Sequence, residues 1–103
     1  MVSYQKRRED YRNGLSARRY TIIVRRPGDH TTSHYKKLRP LRDLVKALPR
    51  IILHPGWYAA IVEWRGEGPP SVDPPFSWQK WRTVERPHSK WANGAPRYYE
   101  RSV

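Results

Sequence analysis

At 103 residues the chain has room for a single domain, and with 37% apolar residues that domain has a small core. Its 21 Lys and Arg against 9 Asp and Glu leave a formal charge of +12, which suits a polyanionic partner: nucleic acid, an anionic membrane face or an acidic protein surface. The lack of cysteine excludes disulfides, thiolate zinc sites and thiol nucleophiles, and no apolar run reaches the roughly 18–20 residues of a membrane span.

The same lack of cysteine in a chain short of apolar residues favours a reducing, cytoplasmic setting. The Arg-rich start has no apolar segment behind it and does not read as a signal peptide. Net charge is +6 over residues 1–26, +4 over 27–50, −1 over 51–68 and +3 over 69–103. A neutral interior with cations around it is therefore expected.

Residues 1–18 read as a basic N-terminal arm or a short helix. Ser3 suits an N-cap, and Asn13-Gly14 suits a C-terminal stop. From Arg19 to Arg25 the run is β-branched, with Tyr20, Ile22 and Val24 on one face and Thr21, Ile23 and Arg25 on the other, which predicts a strand. Pro27-Gly28-Asp29 ends it as a turn.

The period then changes. Leu38, Leu41, Leu44, Val45 and Leu48 recur at three- and four-residue intervals, which predicts an amphipathic helix with Pro40 in its first turn and Pro49 past its end. Projected on that helix, Arg39, Arg42 and Lys46 fall within about 60° of one another, opposite the apolar stripe. Ile51, Ile52 and Leu53 suggest a short strand before the Pro55-Gly56 turn. Trp57 to Arg65 predicts a second firm strand, apolar on both sides and therefore central. Gly66 to Pro75 reads as a loop, Phe76 to Val84 as a further strand, and residues 87–103 as an irregular tail with an Asn93-Gly94 turn. The expected fold is α+β. A small antiparallel or mixed sheet of three to four strands, over residues 19–86, carries one amphipathic helix on a face.

Three groups of residues suit a polyanion. The run Trp78, Lys80, Trp81 and Arg82, followed by Arg86, Lys90 and Trp91, interleaves flat rings with cations. Rings stack on unpaired bases while cations neutralise phosphates. The structural alternative is that the tryptophans fill the interior of a Leu-poor core. The second group is the helix face, Arg39, Arg42 and Lys46, with Lys36 and Lys37 just upstream. The third is the arm, Lys6, Arg7, Arg8, Arg12, Arg18 and Arg19, where arginine's planar fork matches phosphate.

Enzymatic readings are thin. His30 and His34 stand four apart, a metal-ligand spacing on a helix, but two more ligands would have to come from Asp29, His54 or His88. No metal or other cofactor is expected. His54, in the turn before the central strand, is the best candidate base for a small basic endoribonuclease. The leading expectation is a non-enzymatic nucleic-acid-binding protein for RNA or single-stranded DNA. The alternative is a small accessory or structural subunit on an acidic protein surface, such as a virion or ribonucleoprotein component or an inhibitor. A membrane partner is not expected.

Overall fold

The computed structural model describes residues 18–72, 78–87 and 95–103. The arm residues Lys6, Arg7, Arg8 and Arg12, together with Lys90 and Trp91, lie outside them.

The described fold is α+β, with a wholly antiparallel six-stranded sheet where three to four strands were expected. β1 (Arg18–Arg26) turns through Gly28 and Asp29, both at positive φ, into β2 (His30–Ser33). β3 (Arg39–Pro40) follows, then the helix α1 (Leu41–Ala47) and a 3₁₀ turn (Leu48–Arg50). β4 (Tyr58–Trp64), β5 (Trp81–Thr83) and β6 (Glu100–Ser102) complete the sheet. β1 and β4 are its two long central strands, paired from Tyr20↔Glu63 to Arg25↔Tyr58.

Each flank is a broken edge. β2 and β3 take successive halves of β1, and β5 and β6 take successive halves of β4. At the second break Val84 N–H donates to the Ile61 carbonyl and Ile61 N–H to the Tyr99 carbonyl, handing β4 from one partner to the next. Short, interrupted edges leave little template for pairing with another chain.

Cross-strand register explains why both faces of β1 are apolar. Tyr20, Ile22 and Val24 join Ala59 and Ile61 beneath α1, whose Leu44 is fully buried. On the opposite face Ile23, Ala60, Val62 and Trp81 form a second cluster, with Leu38, Tyr58, Trp64 and Val72 against it. The alternation expected for Arg19–Arg25 and Trp57–Arg65 matches these faces residue by residue.

The helix is shorter than its apolar period suggested. Pro40 is extended (φ −62°, ψ 147°) and sits at the N-cap, and a residue before proline is itself pushed out of the helical region. Arg39 is therefore a strand residue, and Leu38 joins the far cluster instead of the helix stripe. Only Arg42 and Lys46 of the expected basic face are helical.

Ile51–Leu53 is not a strand. Arg101 stands opposite Ala59 in the β4–β6 pair, whose small side chain leaves room above the sheet. Its guanidinium crosses to donate to the carbonyls of Leu48 (2.6 Å) and Ile51 (2.7 Å). A β6 cation thus closes the C-terminal end of the helical segment. Residues 95–103, expected to be irregular, belong to the sheet through β6 and the Glu85↔Tyr98 bridge. Arg101→Met should lower stability by about 2–3 kcal/mol in a urea melt, because two part-buried carbonyls lose a charged donor.

On the far face Arg25 lies over the Tyr58 ring at 4.9 Å, and the Tyr58 hydroxyl donates to Glu100 at 2.6 Å. Burial, then the Glu100 bond, pushes the Tyr58 phenol well above its ordinary value of 10, and burial raises Tyr20 as well. An unfolded chain loses these protons first, so folding is favoured fully below pH 10 and progressively less above it. Stability should fall as pH rises from 10, and Tyr58→Phe should flatten that fall in melts at pH 9, 10 and 11.

Candidate nucleic-acid interface

Two clefts bring aromatic rings and cations together. The first, about 700 Å³, lies between α1 and the β2–β3 side of the sheet. One wall is helical: Asp43, Lys46, Ala47 and Arg50. Tyr35 and Trp57 supply the rings, over a floor that includes Val24 and Ile51.

Local bonding fixes both rings. The Ser33 hydroxyl donates to the Tyr35 carbonyl at 2.7 Å, so the 2.8 Å contact between Thr21 and Ser33 uses the Thr21 proton. Thr21 is fully buried, so the loop carrying Tyr35 is tied to the core. Trp57 follows the Pro55-Gly56 turn, in which Gly56 has φ +84°, a conformation that glycine adopts without strain. Gly56 N–H donates to the Val103 carbonyl and Val103 N–H to the Trp57 carbonyl, fastening the ring's backbone to the end of β6.

Each ring carries an arginine. Arg39 lies 4.4 Å from the Tyr35 centroid and Arg26 lies 5.7 Å from that of Trp57. His34 meets Tyr35 edge-on at 4.8 Å, and His54 meets Trp57 edge-on at 4.7 Å. Phosphates drawn by these cations would arrive beside flat apolar surfaces, the pairing that single strands require.

The second cleft, about 650 Å³, holds Trp78, Gln79, Arg65, Arg82 and Tyr98 together with Glu63 and Glu85. Its acids are held by Arg65 of the lining and by two arginines outside it. Arg19 and Arg65 both bind the nearly buried Glu63 carboxylate, and Arg97 binds Glu85 at 3.0 Å. Two acids face two cations in its lining, whereas the first cleft sets Asp43 alone against Lys46 and Arg50. Counted over lining residues alone, the first cleft is net cationic and the second is balanced.

The residues singled out from sequence divide accordingly. Trp81 is 1% exposed, edge-on to Trp64 at 5.1 Å, and its ring is core. Gly66 allows this packing, since a Cβ there would stand 2.7 Å from the Trp64 ring. Trp78, 45% exposed, is the ring of that run that solvent reaches. Lys80 lies over Trp64, Arg82 is exposed opposite Glu63 in the β4–β5 pair, and Arg86 lies over Tyr99. Arg18 pairs across to Pro40 and so stands beside Arg39, joining the foot of β1 to the start of α1. Lys36, Lys37, Arg42 and Lys46 are exposed, with Arg42 at 4.0 Å from Asp43.

Missing from the sequence reading were Tyr35, Trp57, Arg26 and Arg50. Tyr35-Lys36-Lys37 repeats the aromatic-then-cation pattern of the Trp78 run and was the available signal. His30 sits on a strand, so the one-turn spacing that suggested a metal pair with His34 does not apply. Among the described residues no three His, Asp or Glu stand together as a metal site, and no helix is long and apolar enough to cross a membrane. In comparisons with known proteins, no family model, curated protein or solved structure matches this chain.

Proposed function

We propose that this chain is a non-enzymatic nucleic-acid-binding protein whose ligand is RNA or single-stranded DNA. The observation that carries the reading is the helix-side cleft, where Tyr35 and Trp57 stand with Lys46 and Arg50 in one depression. Stacking on an aromatic ring stabilises by roughly 1–3 kcal/mol per base, and only unpaired bases offer their faces to rings set in a cleft. Arg26, Arg39, Lys36 and Lys37 extend the cationic surface beyond the cleft for the flanking phosphates. Exposed large apolar side chains among the described residues are few, which favours this ligand over a protein partner gripped through an apolar patch.

The test is a titration of intrinsic tryptophan fluorescence with an unstructured ten-nucleotide RNA at two ionic strengths. Quenching that saturates at low salt and weakens at high salt supports the reading. No change even in dilute buffer refutes it and leaves the acidic protein surface as the partner.

A further inference from the structure

We infer that the helix-side cleft selects among unpaired bases and takes guanine, an assignment that rests on the nucleic-acid reading above and sharpens it. Lys46 and Ala47 stand three and four residues after Asp43, and Arg50 stands four and three residues after them, so all four share one side of the helical segment. That wall offers one carboxylate and two cations, with only the methyl of Ala47 among them. The small residue leaves space for a flat ring to come edge-on to the wall while Tyr35 or Trp57 meets its face.

The polar groups on this wall are complementary to one base edge. Guanine presents two adjacent donors, N1–H and N2–H, beside an acceptor, O6. A carboxylate accepts both donors in a bidentate contact, and Lys46 or Arg50 donates to O6. Cytosine and adenine each offer a single amino group on that edge. Uracil and thymine set one N–H between two carbonyl oxygens, which a carboxylate repels. Asp43 is half exposed, and its nearest cation, Arg42, is at the 4.0 Å limit of an ion pair. Such surface pairs are weak, so the carboxylate is available to a ligand.

The experiment uses the full chain and four labelled RNAs of nine uridines around a central guanine, cytosine, adenine or uridine, with affinity read by fluorescence anisotropy. The guanine RNA should bind on the order of tenfold tighter than the all-uridine RNA. Asp43→Asn should abolish that preference while binding of the all-uridine RNA holds or rises, since a negative charge is removed. If the carboxylate acts only through its charge, Asp43→Asn instead raises all four affinities alike and keeps their order, which overturns the assignment. Equal binding of the four RNAs by the natural chain overturns guanine selectivity and leaves the nucleic-acid reading standing. Absence of binding to all four overturns both.

Discussion

Raising monovalent salt from about 50 to 200 mM is expected to weaken oligonucleotide binding by roughly 300-fold. The estimate follows from counterion release, in which log affinity falls against log salt with a slope of about −0.7 per phosphate neutralised on a single strand. Six cations around the helix-side cleft enter no ion pair among the described residues: Arg26, Lys36, Lys37, Arg39, Lys46 and Arg50. If each takes one phosphate, the slope is about −4, and a fourfold rise in salt gives the stated loss. Residues can be separated by which part of the curve they move. Lys46→Ala and Arg50→Ala should each make the slope shallower by about 0.7, whereas Trp57→Ala should lower affinity by on the order of tenfold or more with the slope unchanged. Anisotropy titrations at four salt concentrations resolve both. A slope near zero would mean that phosphates are not what the cations hold.

The competing partner, an acidic protein surface, predicts a different anatomy. Protein interfaces concentrate their energy in a buried aromatic and aliphatic centre, with charges at the rim. Here the described residues expose three large apolar side chains: Ile52, which borders the helix-side cleft, Val103, whose backbone bonds to Trp57 of that cleft, and Trp78, which belongs to the other. Both clefts mix rings and cations in their linings. That mixture suits a chain of alternating bases and phosphates better than a continuous apolar surface.

How much of this was legible in the sequence depends on the scale at which each feature is encoded. β1 and β4 were readable because their alternation is local and both faces end in apolar clusters. The helix was readable in kind but not in extent, because the leucine period runs through Pro40, and the backbone constraint before proline outweighs it. β2 and β6 carry no apolar signal. His30–Ser33 and Glu100–Ser102 are polar edge segments held by backbone bonds to β1 and β4, and such pairing has no counterpart in local composition. The site fared likewise. Its helical wall includes Lys46, which was expected, but its rings come from a bend and a turn that only the tertiary fold sets beside that wall. Arg101, a basic residue in a tail expected to be irregular, proved to be a cap for the helical segment.

Trp78 and Trp81, three residues apart in one basic run, should give opposite phenotypes. Trp81→Ala removes a ring buried against Trp64 in the far cluster, where Ala60 and Val62 cannot collapse far enough to fill the space. Large-to-small changes of this kind cost about 3–5 kcal/mol, a large part of the roughly 5–15 kcal/mol that holds a small domain folded. The melt should therefore shift by well over 10 °C, and Trp81→Phe, which keeps most of the volume, should recover much of the loss. Trp78→Ala removes a ring that is nearly half exposed in a turn beside Arg82 and should change stability by less than about 1 kcal/mol. Its effect should fall on the ligand instead, a loss of up to about tenfold in affinity if a base reaches the second cleft. Thermal melts and titrations on the same two variants decide the matter. A stable Trp81→Ala variant that no longer binds would return Trp81 to the ligand-facing surface and overturn the division of roles drawn from burial.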